Sequence, residues 1–219
     1  MPTGRIVIIA GGDINEPHFY KKLFHEGDYI ICVNGGSANA IKIGVIPDLL
    51  VGDMDSLNKT VRKGILKSNP EIISHPPEKD KSDLELALDY ATREKPSEII
   101  IIGALGGERV EHFFINLLLL QVPLKNGINA RIIDERHEIC IAENSYEIAG
   151  KPGDYLSLFA LTPEVKEIVT EGLKYPLQKG TLYFGSTLGL SNEFTNGTAR
   201  ITFASGMLLL IKHARCPLF

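Results

Sequence analysis

The chain has 219 residues, 44% of them hydrophobic, and a formal net charge of −4 with its basic and acidic residues interspersed. This length and apolar share suit a globular protein of one large domain or two small ones. The charge distribution excludes the basic stripe that neutralises a nucleic-acid backbone, so we expect no nucleic-acid partner.

The cysteines and the apolar runs set the expected compartment. Cys32, Cys140 and Cys216 are far apart, show no CxxC spacing and are odd in number, which is a poor basis for disulfides. The N-terminal apolar run is too short for a signal peptide, and no run of about 18 apolar residues predicts a membrane span. We therefore expect reduced thiols, a cytoplasmic protein and no membrane partner.

In the first half, short β-branched runs alternate with segments of helical periodicity. The predicted strands are residues 5–10, 29–33, 71–74 and 98–102, and the predicted helices include residues 19–26, 83–93 and 111–122. This alternation indicates a mainly parallel sheet with helices on both faces. We expect an α/β domain over residues 1–128.

After about residue 128, short strands separated by turn residues replace that pattern. The predicted strands lie within residues 129–148, 156–160, 167–171, 180–184 and 198–211. None of these segments has convincing helical periodicity. We therefore expect an all-β sandwich domain over residues 129–219.

Two glycine turns follow the first two predicted strands. They are Gly11-Gly12-Asp13 and Asn34-Gly35-Gly36. Ligands of an open parallel sheet bind outside the carboxyl ends of its strands, and glycines let backbone amides approach a phosphate. Glycine pairs after strands are often simple turns, and neither sequence is a GxGxxG or GxxxxGK[ST] motif. These residues are candidates for nucleotide binding.

Asp53 and Asp55 come directly after the apolar run of residues 49–51. If the backbone there is extended, both carboxylates project to one side, roughly 7 Å apart. A solvated turn would hold such a pair at little cost. In a semi-enclosed site the pair would repel by about 2 kcal/mol, which a divalent cation would convert into attraction. Magnesium accepts hard oxygen ligands and usually binds together with substrate phosphates.

Two predicted helices begin with polar residues. Ser82-Asp83-Leu84-Glu85 fits a capping box, which explains Ser82 and Glu85 but not the cluster of Asp80, Lys81 and Asp83. The glycine-rich segment 103–107 leads to Arg109, Glu111 and His112 at the start of the next helix. Glu111 can complement the helix dipole there, while the planar guanidinium of Arg109 suits a phosphate.

Several motifs, taken together and in order, resemble the thiamine pyrophosphokinase (thiamine diphosphokinase) family. They are IPDLLVGDMDS at residues 46–56, KDKSD at 79–83, GLKYPL at 172–177 and FGSTLGLSNEF at 184–194. The chain departs from the family pattern at two places. Asn34 stands where an acid is common, in a turn one residue longer, and Glu111 stands where Asp is usual, in a motif also one residue longer.

The resemblance implies Mg²⁺-dependent transfer of the pyrophosphoryl group of ATP to thiamine, giving thiamine diphosphate and AMP. It also implies a homodimer with thiamine sites near the subunit interface. By the same resemblance, Asp53, Asp55 and Asp83 become metal and catalytic residues, joined by Arg109, Glu111 and His112. Asp80 and Lys81 join the nucleotide-binding residues, and Ser186, Ser191 and Asn192 become thiamine-binding residues.

Other functions remain open from the residues alone. A pyrophosphokinase for a pterin alcohol would share the acidic residues of the first half, although the motifs of the second half favour thiamine. A thiamine or nucleotide sensor without catalysis would have little need for Asp53, Asp55 and Asp83. A purely structural protein is the least favoured interpretation.

Overall fold

The computed structural model describes residues 4–52, 69–74, 80–107 and 109–216. The chain divides into two compact units, Met1–Glu135 and Arg136–Phe219. Within the described residues, no helix combines the length and apolarity needed to cross a membrane.

The first unit contains a parallel sheet. Its strands are β1 (Ile6–Ile9), β2 (Tyr29–Val33), β3 (Leu49–Val51), β4 (Glu71–Ile73), β5 (Ile99–Ile102) and β6 (Ala130–Ile133). Their order is β6-β5-β1-β2-β3-β4, and every pair is parallel. All four residues of β1 and all four of β5 are buried, as expected for strands covered on both faces.

Helices connect these strands. They are α1 (Pro17–Lys21), α2 (Gly36–Ile43), α3 (Asp83–Arg93), α4 (Val110–Leu119) and α5 (Gln121–Lys125). Leu84 and Leu88 lie one turn apart on the buried face of α3. Because β1, β2, β3 and β5 run parallel, the turns that follow them meet at one edge of the sheet, and this edge carries the candidate site.

The second unit contains two antiparallel sheets. Its strands are β7 (His137–Ala142), β8 (Ser145–Ala149), β9 (Tyr155–Ala160), β10 (Glu164–Glu171), β11 (Gly180–Tyr183), β12 (Asn192–Glu193), β13 (Thr198–Thr202) and β14 (Leu208–His213). One sheet has the order β12-β9-β14-β7, and the other has the order β11-β10-β13-β8. Leu158 and Leu210 of the first sheet share a buried core with Val165 and Ile201 of the second. This packing confirms the predicted sandwich.

Most predicted elements are confirmed, and four differ. The single helix predicted at residues 111–122 is two helices, α4 (Val110–Leu119) and α5 (Gln121–Lys125). The helix predicted at residues 19–26 is instead Pro17–Lys21, and the Asp28 carboxylate accepts a hydrogen bond from His25 N (2.8 Å), which holds a turn after it. Strand β6, expected in the second half, pairs in parallel with β5. The run at residues 198–211 is two strands, β13 and β14. Apolar alternation predicts a strand but not its neighbour or direction, so β6 could not be assigned to a sheet from sequence.

Candidate active site

The turns after β1, β2 and β5 touch one another through their backbones. A Cβ on Gly11 would lie 3.2 Å from the Gly35 Cα, and a Cβ on Gly12 would lie 2.5 Å from the Gly103 carbonyl oxygen. Gly12 N also donates to Gly103 O at 2.7 Å. The approach at Gly12 leaves no room for a side chain, and a side chain at Gly11 would push the neighbouring turn away, so both glycines favour the convergence of the turns.

Asn39, on α2, holds the turn after β1. Its Nδ2 donates to Ala10 O and to Gly12 O, both at 2.8 Å. One amide therefore fixes two carbonyls of this turn.

A cavity of about 370 Å³ lies at this edge of the sheet. Ligand pockets commonly have volumes of roughly 300–1,000 Å³. The cavity is lined by the three turns and the starts of two helices: Ala10, Gly11, Gly12, Val33, Asn34, Gly35, Ser82, Asp83, Leu84, Gly103, Ala104, Gly106, Gly107, Arg109, His112 and Asn116. The N-termini of α3 and α4 thus both border it. A helix N-terminus carries partial positive charge and unsatisfied N–H groups, so this cavity favours an anion such as a polyphosphate.

The start of α3 is capped as the sequence predicts. Ser82 Oγ accepts a hydrogen bond from Glu85 N at 3.2 Å. The Glu85 carboxylate lies 3.3 Å from Lys81 Nζ and forms an ion pair with it. In a capping box this carboxylate would instead accept a hydrogen bond from the backbone N–H of Ser82. Asp83, the first residue of α3, accepts a hydrogen bond from Asn34 Nδ2. The capped start of α3 therefore places Asp83 at the cavity.

Two of the predicted nucleotide-binding residues near α3 do not line this cavity. Asp80 is exposed. Lys81 Nζ donates a hydrogen bond to Asp89 Oδ2 at 2.6 Å, and this bond raises the pKa of Lys81 above its ordinary value. In this state Lys81 belongs to an ion-pair cluster on the surface of α3.

The start of α4 carries an exposed ion pair. Arg109 Nε donates to Glu111 Oε1 at 2.6 Å, and the hydrogen bond lowers the pKa of the Glu111 carboxyl below its ordinary value. Arg109 and His112 line the cavity, whereas Glu111 does not. Arg109 therefore presents a cation that is already paired beside the cavity.

Asn116 lines the cavity although the sequence did not single it out. Its Nδ2 donates to Ala104 O at 2.9 Å and joins α4 to the turn after β5. Asn116 lies four residues after His112, on the same helix face, and it is polar within an apolar segment. That spacing is the signal that would have identified it.

Asp13 and Gly36 support the site from outside the cavity. The Asp13 carboxylate accepts from Gly107 N at 3.3 Å and lines a second, smaller cavity of about 110 Å³ with Tyr20, Asp134 and Glu135. Gly36 is buried at the start of α2, where a Cβ would lie 1.9 Å from Ile9 O. Asp13 therefore orders the glycine-rich turn, and Gly36 lets α2 pack against the end of β1.

Asp53 and Asp55 lie outside the described residues, so of the three predicted metal ligands only Asp83 has a described position. No group of three or more His, Cys, Asp or Glu side chains is arranged to hold a metal ion within the described part of the chain.

In the second unit, Asn192 joins two of the motif segments. Its Oδ1 accepts from Tyr175 N at 3.0 Å and from Glu193 N at 2.9 Å, and its Nδ2 donates to Tyr175 O at 2.7 Å. Ser191 has a positive φ of 56° and donates its N–H to Ser157 Oγ at 3.0 Å. Ser186 Oγ accepts from Leu188 N at 3.3 Å. These hydrogen bonds order residues 184–194, and the Asn192 side chain makes three of them.

Large apolar side chains are exposed in both units. In the second unit they are Tyr175, Tyr183, Phe184, Leu188 and Leu190, all in or beside the GLKYPL and FGSTLGLSNEF segments. In the first unit Val110 and Phe114, at the start of α4, are 74% and 59% exposed. Groups of exposed apolar residues mark interaction or ligand-binding surfaces.

Family models match both halves of the chain. The model described as "Thiamin pyrophosphokinase, catalytic domain" matches residues 20–132, and the model described as "Thiamin pyrophosphokinase, vitamin B1 binding domain" matches residues 136–208. The thiamine pyrophosphokinase of Bacillus subtilis (strain 168) is 34% identical over 209 residues, which cover 94% of this chain and 97% of that protein.

Solved structures agree with these matches. The crystal structure of thiamine pyrophosphokinase from Bacillus subtilis has a TM-score of 0.88 at 31% identity and covers 96% of this chain and 99% of its own. Thiamin pyrophosphokinase from Geobacillus thermodenitrificans has a TM-score of 0.82 at 28% identity and covers 97% of this chain and 99% of its own.

Proposed function

Because the chain belongs to the thiamine pyrophosphokinase family, we propose that it transfers the pyrophosphoryl group of ATP to thiamine, giving thiamine diphosphate and AMP. The structural observation that carries this proposal is the cavity bordered by three glycine turns and the N-termini of α3 and α4. These elements offer backbone amides and positive dipole ends to a polyphosphate. A pterin-specific pyrophosphokinase is not favoured, since the family match extends through the second half of the chain.

The turns supply the nucleotide contacts in this proposal. Gly11, Gly12, Asn34 and Gly35 line the cavity and present backbone groups to the phosphates. Gly36 and Asp13 support those turns from outside. Asp80 and Lys81 precede α3 and add contacts if Lys81 leaves Asp89 when nucleotide binds.

The reaction requires positioning and charge neutralisation more than a covalent nucleophile. The thiamine hydroxyl oxygen forms a bond to the β-phosphorus while the bond from that phosphorus to the α,β-bridging oxygen breaks, and AMP leaves with that oxygen. The hydroxyl proton goes to a carboxylate, for which Asp83 and Asp55 are both candidates. Arg109 balances charge on the phosphates, with Glu111 orienting its guanidinium and His112 beside it at the cavity.

Mg²⁺ is the metal we propose for this site. The Asp83 carboxylate at the cavity has the hard oxygen donors that Mg²⁺ prefers, and Asp53 and Asp55 would complete the set. When bound, the ion neutralises charge on the phosphate oxygens. Asp83 reaches this position because Ser82 caps the helix that carries it.

Thiamine binding is assigned to the second unit. Ser186, Ser191 and Asn192 lie in the segment whose exposed aromatic neighbours, Tyr183 and Phe184, offer apolar surface and ring faces to a cationic thiazolium. The exposed apolar residues of both units also support a homodimer, which would remove them from water. A cytoplasmic location remains our expectation from the reduced cysteines.

A product assay tests the proposal directly. The protein is incubated with ATP, Mg²⁺ and thiamine, and the nucleotides are separated by ion-exchange chromatography. We expect AMP and thiamine diphosphate in equal amounts. ADP as the sole nucleotide product, or AMP release that does not depend on thiamine, would contradict the proposed reaction.

A further inference from the structure

Asn34 connects three elements at the edge of the cavity. It follows β2 with a positive φ of 46°, and its backbone N–H donates to Val51 O, at the end of β3, at 3.1 Å. Its side-chain Nδ2 donates to Asp83 Oδ2 at the start of α3. A single residue thus links two strand ends to the carboxylate that faces the cavity.

The amide oxygen of Asn34 has no hydrogen-bond partner among the residues that the structure describes. This atom, Oδ1, is buried and packs against Gly52, where an added Cβ would lie 1.8 Å from it. Most buried polar atoms are hydrogen-bonded, so an exception of this kind calls for a specific reason.

The contact with Asp83 supplies that reason. Turning the Asn34 amide over would bring its oxygen against Asp83 Oδ2, so that two acceptors would face each other. The observed orientation directs the amide N–H at the carboxylate and leaves the amide oxygen without a donor from the described part of the chain.

We propose that Asn34 is a positioning residue that fixes the Asp83 carboxylate before any cation binds, and that the neutrality of its side chain makes this possible. A carboxylate at position 34 would bring two negative charges into contact, and a bound cation would relieve their repulsion. The proposal rests on the proposed function in one respect, because Asp83 is there assigned to Mg²⁺. The hydrogen bond itself exists without ligand.

Two substitutions separate the charge of Asn34 from its backbone conformation. Asn34→Asp and Asn34→Gly both accept a positive φ, so neither introduces the backbone strain that alanine would. Asn34→Asp replaces the donor with a charge, whereas Asn34→Gly removes the side chain. Asn144→Asp is the control, since it adds the same charge at an exposed position of the second unit.

Thermal unfolding in EDTA and in saturating Mg²⁺ is the first measurement. The wild-type protein and Asn144→Asp should have melting temperatures in EDTA within about 2 °C of each other. Asn34→Asp should melt roughly 5 °C lower in EDTA and recover most of that loss in Mg²⁺. A melting temperature for Asn34→Asp in EDTA equal to that of the wild type would overturn the proposal.

The Mg²⁺ requirement of turnover is the second measurement. Asn34→Gly should need roughly 10- to 100-fold more Mg²⁺ for half-maximal rate, because the oriented carboxylate is lost, while the KM for thiamine stays unchanged. An unchanged Mg²⁺ requirement would also contradict the proposal. If the wild-type protein releases no AMP, the proposed function fails, and the melting comparison in EDTA still decides whether Asn34 and Asp83 are coupled.

Discussion

Two carboxylates near the cavity have partners of different kinds. Asp83 accepts a hydrogen bond from the neutral amide of Asn34, whereas Glu111 is bound by the Arg109 guanidinium. The Arg109 guanidinium already neutralises the Glu111 carboxylate, and Glu111 does not line the cavity, so at the residue scale Glu111 is the better candidate for orienting Arg109. Asp83 lines the cavity and offers the carboxylate oxygens that Mg²⁺ prefers, so it is the better candidate for a metal ligand.

Asp83→Asn tests the role of that charge. Ser82 still caps the helix in this variant, so α3 should remain folded while the negative charge at the cavity is lost. We expect kcat to fall at least roughly 100-fold, with a melting temperature close to that of the wild type. Steady-state kinetics with ATP and thiamine provide the measurement.

Glu94→Gln is the matched control for Asp83→Asn. It removes a carboxylate at the other end of the same helix, roughly 16 Å away along the axis, and should leave kcat unchanged. Equal losses of activity in the two variants would indicate a general effect of charge and would remove Asp83 from the site.

The Arg109–Glu111 pair predicts a pH effect. Because the hydrogen bond from Arg109 lowers the pKa of Glu111, any stabilisation from the pair is complete above the ordinary carboxyl pKa of about 4.3 and is lost as the pH falls through the lowered value. In Arg109→Gln the pKa of Glu111 should rise toward the ordinary value. Carboxyl ¹³C NMR titration of Glu111 in both proteins checks this, and identical midpoints would show that Arg109 does not bind Glu111 in solution.

At the scale of elements, Asn192 ties strand β12 to the GLKYPL segment. It makes three hydrogen bonds, two of them with the backbone of Tyr175. The thiamine-binding role proposed for Asn192 is therefore combined with a structural one. Ser186, by contrast, accepts one bond within its own exposed turn.

Alanine substitutions should separate these two roles. Asn192→Ala should lower the free energy of unfolding by about 1–3 kcal/mol and raise the KM for thiamine, because both the hydrogen bonds and the loop conformation are lost. Ser186→Ala should raise the KM for thiamine with a stability change below about 0.5 kcal/mol. Urea unfolding and thiamine-dependent kinetics measure both effects. If Asn192→Ala were as stable as the wild type, the hydrogen bonds of Asn192 would not contribute to stability.

The elements predicted well are those with local signals at both ends. Strand β2 was predicted at its observed bounds because an apolar run ends at Asn34-Gly35, and α3 was predicted because Ser82 precedes an apolar period of 3.6. Helix α1 was predicted too far along the chain, although Pro17 marks its first turn. The sequence therefore predicts the type of an element from its apolar periodicity. It predicts where the element begins and ends only where a capping residue, glycine or proline marks the boundary.

The site was predictable in type but not in its contacts. The glycine turns were assigned from their positions after strands and Arg109 from its place beside a glycine-rich turn, whereas the roles of Asp83 and His112 came from the family resemblance. The structure brings residues of all these segments to one cavity. Asn116 was missed although its spacing from His112 places both residues on one helix face, while its hydrogen bond to the Ala104 carbonyl could not be read from the sequence. The contact between Asn34 and Asp83 joins residues 49 positions apart, and no local pattern encodes such a pair.

At the scale of the whole molecule, each unit has its own apolar core, and each core contains one cysteine. Cys32 is buried on β2 in the first unit, and Cys140 is buried on β7 in the second. Cys216 is exposed. The three cysteines therefore report separately on the first core, the second core and the surface.

Thiol reactivity with a chromogenic disulfide reagent at mildly alkaline pH should follow this burial. Burial raises the pKa of the Cys32 thiol, so both its access to the reagent and its thiolate fraction are small in the folded protein. We expect one fast-reacting thiol per chain, Cys216, and two that react only as the units open. Cys216→Ser should abolish the fast phase, and all three thiols should react at once in denaturant. A fast phase that persists in Cys216→Ser would mean that one of the cores admits the reagent, contrary to the burial of Cys32 and Cys140.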